Sequence, residues 1–322
     1  MSDLPLLAEV VRGGVIESVH TGSLVAVGPD GRSLLAVGEV DVPVFPRSSL
    51  KPLQAVGMLR AGLALGDEAE GVEFLALAQA SHSGEPAHLA LVRRLLGRGG
   101  LTESALGNTP DLPLDPVASR QWLRRDGEPS RLAQNCSGKH AAMLATCVAR
   151  EWPTGPAGAY LSPEHPLQVE LRATVEDLCG QSTADTVVDG CGAPLWSVSL
   201  TGLARAFSAL VLGEPGTPER RVADAGRAHP SVVGGSGRDV TLLMEQVPGL
   251  LAKDGAEGVY AVALADGTAV ALKVADGAAR ARVPVLLEVL RALGVDVDPE
   301  PFVVPVLGGG RPVGKVRARS LA

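Results

Sequence analysis

Apolar residues in the first 45 positions come in short runs, Gly14–His20, Ser23–Val27 and Ser33–Val37, separated by Thr21-Gly22 and Pro29-Asp30-Gly31. Those separators are turn chemistry at hairpin spacing, so the runs are predicted as strands. The pattern returns near the other end in Gly258–Leu264, a turn at Ala265-Asp266-Gly267 and Thr268–Val274, with Gly314–Arg317 as a closing strand. Between them the period changes. Leu50–Leu63, Val72–Ser81, Pro86–Leu96, His140–Ala149, Pro166–Leu178 and Trp196–Leu212 carry apolar residues three and four apart, the spacing of a buried helix face. Ala278–Leu293 continues that spacing until Gly294 stops it. Pro- and Gly-rich stretches at Gly107–Pro116, Trp152–Gly158 and Gly213–Pro218 separate helices without marking a domain linker, and no internal repeat is visible. This order predicts an α/β (α+β) fold: one antiparallel sheet built from both termini, about 9–45 and 258–317, with a helical middle layer at about 50–250, in one unit spanning 1–322.

Composition narrows the class. Hydrophobic residues at 46% and charged residues at 20% are ordinary for a globular chain, while aromatics at 3% leave the core to Ala, Val and Leu. A net charge of -7 without a basic block argues against a nucleic-acid partner. The apolar runs are too short for a membrane span, and the start Met1-Ser2-Asp3-Leu4 lacks the basic region of a signal peptide. Four cysteines are too few for a disulfide framework, so the expected compartment is the cytoplasm. Of 29 lysine and arginine residues, five are lysines, at 51, 139, 253, 273 and 315. Lysine, unlike arginine, can give up its proton in a protein, so the few lysines kept are candidates for chemistry.

Titratable and small polar residues collect in five segments. In Phe45-Pro46-Arg47-Ser48-Ser49-Leu50-Lys51-Pro52 a strand region gives way to a helical one. Ser48 and Lys51 are three apart, which puts them on one helix face, where a neutral lysine can take a serine proton. Read blandly, the same residues are a helix cap and a surface lysine. Ala80-Ser81-His82-Ser83-Gly84-Glu85-Pro86 is a helix junction with a second candidate hydroxyl, Ser81. Asn135-Cys136-Ser137-Gly138-Lys139-His140 and Asp189-Gly190-Cys191-Gly192-Ala193-Pro194 bring cysteines into loops, where sites gather on rigid elements. Cys147 and Cys179, on apolar helix faces, read as small core residues. Lys253-Asp254-Gly255 precedes a predicted strand; a Ser-x-x-Lys pair followed by Lys-x-Gly is the order of serine acyltransferases. Val233-Gly234-Gly235-Ser236-Gly237-Arg238-Asp239 lacks the strand-to-helix context of a phosphate site.

Together these segments, above all Cys136-Ser137-Gly138-Lys139-His140 and Asp189-Gly190-Cys191-Gly192, resemble the Rhizobium-type L-asparaginases, from about Glu9 to Arg317. The resemblance implies a fold similar to serine β-lactamases and glutaminases, a homodimer, and hydrolysis of L-asparagine to aspartate and ammonia. It implies one pair of Ser48 with Lys51 and another of Ser81 with Lys253. Cys136, Lys139 and Cys191 match positions around a zinc ion, with Asp189 beside them. His140 and Asp189 are candidate substrate contacts, and Arg47 or Arg238 is expected to bind the substrate carboxylate. No organic cofactor is expected. Two other readings remain open: a penicillin-recognising serine acyl enzyme, and a zinc-stabilised binding module without catalysis.

Overall fold

A computed structural model describes residues 4–65 and 68–321. Its strands are β1 Leu6–Arg12, β2 Val15–Val27, β3 Ser33–Val37, β4 Thr186–Val188, β5 Pro194–Trp196, β6 Leu251–Asp254, β7 Val259–Ala263, β8 Ala269–Val274, β9 Pro305–Gly308 and β10 Arg311–Ala318. Its α-helices are α1 Lys51–Arg60, α2 Ala69–Ala78, α3 Pro86–Arg98, α4 Pro116–Leu123, α5 Ser137–Ala149, α6 Pro166–Cys179, α7 Leu200–Leu212, α8 Pro218–Ala228, α9 Pro230–Val233, α10 Asp239–Gln246 and α11 Ala279–Ala292. The chain divides into two compact units. The first holds the stretch ending at Ser49, Val198–Leu212 and everything from Leu242; the second holds Leu50–Ser197 and Gly213–Thr241.

The first unit is an antiparallel sheet in the order β6-β7-β8-β2-β1-β10-β9, with β3 also paired to β2. Both termini supply its strands, as the periodicity predicts. Every residue of β7 is buried, and so are all but one of β8, which is why these strands read as continuous apolar runs. Helices α7 and α11 pack on the sheet. One expectation is corrected here. Thr21-Gly22 is no turn: Val15–Val27 is a single strand whose first half pairs with β1 and whose second half pairs with β8. A Cβ on Gly22 would lie 2.1 Å from the Lys273 carbonyl oxygen, so this glycine serves a close strand approach. The hairpin turn is Gly13-Gly14, both at positive φ.

The second unit is mainly helical. Residues Lys51–Leu59 of α1 are all buried, and α1 packs on α5, α6 and α8, while α3 and α2 pack on α5. The predicted Trp196–Leu212 helix starts later, at Leu200, because Pro194–Trp196 is taken up pairing with Thr186–Val188. The predicted Val72–Ser81 helix stops at Ala78, which leaves Ser81 in the following loop. Helices α4 and α8 lie outside the predicted set, yet each has a clear start: Asp115 and Thr217 accept hydrogen bonds from backbone N–H groups of the first turn, each followed by proline. Among the described residues, no helix is long and apolar enough to cross a membrane.

Candidate active site

In the first unit, Ser48 sits in a single 3-10 turn, Arg47–Leu50, and is half-buried. Arg47, just before it, has a φ of 55°, a left-handed conformation that costs a non-glycine residue on the order of 1–3 kcal/mol and often marks a functional turn. The turn lies against the end of β6. Ser49 Oγ donates to the Lys253 carbonyl at 3.2 Å, and a Cβ on Gly255 would lie 2.5 Å from the Pro46 carbonyl oxygen, so Lys253-Asp254-Gly255 needs its glycine for this contact. Lys253 is 0% exposed. Its Nζ donates to the Asp254 carboxylate at 2.5 Å and to the Asp254 carbonyl at 2.9 Å. Arg282 lies 3.9 Å from the same carboxylate.

In the second unit, Lys51 opens α1 and is 1% exposed. Its Nζ donates to the Ala80 carbonyl at 2.6 Å and to Ser81 Oγ at 2.9 Å. The hydrogen-bonded serine–lysine pair is thus Lys51 with Ser81, whereas the resemblance implies Lys51 with Ser48. The Ser81 loop is tied on two sides. Ser81 N–H donates to the Val233 carbonyl and Ser83 Oγ to the Gly234 carbonyl, while His82 N–H donates to the Asn135 carbonyl. His82 Nδ1 accepts from Gly84 N–H at 3.2 Å, so Nε2 carries the proton and donates to Ser137 Oγ at 2.9 Å. Burial first, then the neighbouring His88, Lys51 and Arg238, hold His82 well below its ordinary value. Arg238 Nη1 donates to the Ser81 carbonyl at 3.2 Å, and Glu85 accepts from Ser236 N–H and Oγ. The Gly-rich stretch around Ser236 therefore braces the Ser81 loop.

The same unit gathers Cys136, Lys139 and Cys191, all buried. Lys139 Nζ donates to Cys191 Sγ at 3.2 Å, and Cys191 Sγ lies 3.6 Å from Asp189 Oδ2. The neighbouring Cys136, then Lys139, bring Cys191 down to about 5 despite burial, while the neighbouring Cys191 and burial push Cys136 up to about 12. Burial opposes the charge on Lys139, but Cys191, Cys136 and Asp189 outweigh it and raise Lys139. His140 Nδ1 is bonded to Tyr160 Oη at 2.8 Å, and its Nε2 is buried with no partner among the described residues. Two sulfurs and an amine suit a borderline ion such as zinc in kind, one donor short of its usual four. Among the described residues, no three His, Cys, Asp or Glu side chains are grouped to hold a metal.

Three of the five lysines are therefore buried, each with a different partner: a serine hydroxyl for Lys51, a cysteine sulfur for Lys139, a carboxylate for Lys253. Sequence reasoning missed Asp254 as a partner, although its adjacency to Lys253 was legible. It also missed Asn108, wholly buried in a stretch read as a spacer; an uncharged polar residue between Gly107 and Thr109 gives no sign of burial.

The family model for L-asparaginase II matches residues 8–318. Comparison with curated proteins gives no match. Among solved structures, a Bacillus glutaminase is 12% identical over 86% of this chain and 92% of its own, at a TM-score of 0.47. A β-lactamase from Mycobacterium bovis is 15% identical over 84% and 94%, at 0.44. Mglu in its native form is 14% identical over 85% of this chain, which covers 65% of that longer protein, just under two thirds, at 0.46. All three scores lie below 0.5, and the architecture above stands on the chain's own sheet order.

Proposed function

Since the match over residues 8–318 makes this chain a member of the L-asparaginase II family, a family of amidohydrolases, we propose that it hydrolyses L-asparagine to L-aspartate and ammonia through a serine acyl-enzyme. The observation that carries this reading is the buried Lys51 Nζ, 2.9 Å from Ser81 Oγ and 2.6 Å from the Ala80 carbonyl. Both partners are neutral oxygens, so a proton can pass between hydroxyl and amine without breaking an ion pair. Ser48 Oγ attacks the side-chain amide carbon and gives its proton to Lys51. Lys51 passes that proton to the nitrogen as the C–N bond breaks and ammonia leaves; water then adds to the ester carbonyl, and a proton from that water returns to Ser48 Oγ as aspartate is freed. Lys253, held by Asp254, contributes positive charge. Arg47 or Arg238 receives the α-carboxylate, and His140 contacts the substrate.

Zinc is the one cofactor in this reading, held by Cys136, Lys139 and Cys191 with Asp189 beside them; when bound it would act as a Lewis acid or fix the two loops that carry the sulfurs. We also propose a cytoplasmic homodimer, to be read from light scattering at working concentration.

A second assignment has one observation in its favour. Ser81, not Ser48, is the hydroxyl bonded to Lys51. Ser81 is 3% exposed, however, whereas Ser48 is only half-buried. Ser48→Ala is expected to abolish the acyl-enzyme trapped by acid quench and read by peptide mass spectrometry. Ser81→Ala is expected to slow turnover while the adduct still forms on Ser48. An adduct on Ser81 would reverse the two roles.

A further inference from the structure

Residues 107–109 run beside the cysteine cluster, Thr109 bonding Cys191 itself and the other two bonding residues next to it. Gly107 N–H donates to Tyr160 Oη at 2.9 Å, and that oxygen is the partner of His140. Asn108 Nδ2 donates to the Arg131 carbonyl at 2.7 Å and to Gln134 Oε1 at 3.0 Å. Thr109 N–H donates to the Cys191 carbonyl at 3.3 Å. Gln134 carries the contact onward. Its Oε1 also accepts from Cys136 N–H at 3.0 Å, and its Nε2 donates to Asn135 Oδ1 at 3.0 Å. The same Asn135 oxygen accepts from the Cys136 thiol at 3.3 Å.

Three side-chain amides thus hold both the backbone and the sulfur of Cys136, and the residue next to Asn108 holds the backbone of Cys191. Buried amides are costly unless their hydrogen bonds are made, and an apolar side chain would fill the same space without that demand. Groups just outside a metal's own ligands have a use for such bonds, since they fix ligand orientation before the ion arrives.

We propose that Asn108, acting through Gln134 and Asn135, is a positioning residue that sets Cys136 against Cys191 so that both sulfurs meet one zinc ion. The proposal rests on the reading of Cys136, Lys139 and Cys191 as zinc ligands. Asn108 bonds across two segments, so its loss frees the 107–109 stretch from Cys136 while leaving every ligand in the chain.

The test uses the full-length metal-free protein and Zn2+ alone. Zinc affinity is measured by competition with a chromophoric chelator, and alkylation of Cys136 by iodoacetamide is followed by peptide mass spectrometry. Asn108→Leu keeps size and removes the hydrogen bonds; Gln134→Leu breaks the next link and keeps the test decisive should Asn108→Leu misfold. Both are expected to weaken Zn2+ binding by roughly 10–100-fold, the range for partners of metal ligands, and to speed alkylation of Cys136. Thr146→Val is the control: Thr146 is buried on the same helix, α5, and among the described residues its Oγ1 bonds only the Ala142 carbonyl at 2.8 Å, so neither readout should move. Unchanged zinc affinity in folded Asn108→Leu and Gln134→Leu, or equal weakening in Thr146→Val, overturns the positioning role. Wild-type protein that binds no Zn2+ overturns the zinc reading itself, a distinct result.

Discussion

Replacing Lys51 by arginine keeps a positive charge at the start of α1 but takes away a group able to give up and accept a proton. Lys51 touches the Ala80 carbonyl and Ser81 Oγ, so the substitution acts on the one hydroxyl it binds. Lys51→Arg is expected to lower turnover on the order of 10²–10⁴, the usual cost of a positioned base, with the fold retained by circular dichroism. A folded Lys51→Arg protein with near-normal ammonia release would pass the role to Lys253 or Lys139. At this scale the sequence was informative about which residues and silent about partners. Scarcity of lysine singled out three that prove buried, at 51, 139 and 253. The bond from Lys51 to Ser81 depends on where the loop after α2 returns, 30 residues later, and no local spacing encodes that.

Between residue and fold, the Cys-Ser-Gly-Lys-His motif shows how an element places a site. Gly138 lies in the first turn of α5, where a Cβ would meet the Leu77 carbonyl oxygen at 2.7 Å and the Leu77 side chain at 2.6 Å. The glycine lets α5 approach the end of α2 at Leu77, three residues before Ala80 and four before Ser81. Gly138→Ala is expected to cost about 1–3 kcal/mol in urea unfolding, as overpacking does, and to lower turnover by displacing Lys139. Full stability would mean that the end of α2 can yield. The element scale also marks the limit of pattern reading. The helices with strong periodicity were legible, whereas β2 was split in two because Thr21-Gly22 has the chemistry of a turn. Only the partner strand β8, over 240 residues away, shows Gly22 to be a site of close approach. Strand β6 was invisible because four residues are too few to display alternation.

For the whole molecule, pH is a probe of what is buried neutral. Burial, ahead of any other cause, holds His82 and His88 below their ordinary 6.5. In the unfolded chain both titrate near that value, so below it the unfolded state binds protons that the folded state refuses. Their stabilisation is present above about pH 6.5 and is lost as pH falls, by up to about 1.4 kcal/mol per pH unit for each histidine. Melting temperature is expected to be level from pH 8 to 7 and to fall between 6.5 and 5, a window above most carboxylate titration. A level profile through that window would show the two imidazoles protonated in the folded protein.

The claim on which the rest depends is amide hydrolysis with a preference for asparagine, and its direct measurement is ammonia release from L-asparagine and L-glutamine by the purified protein under the same conditions. One methylene in a fitted pocket shifts discrimination by roughly 1–3 kcal/mol, so kcat/KM for asparagine is expected to exceed that for glutamine by about tenfold or more. Equal or faster release from glutamine would contradict the substrate assignment, and no release from either would contradict the enzyme.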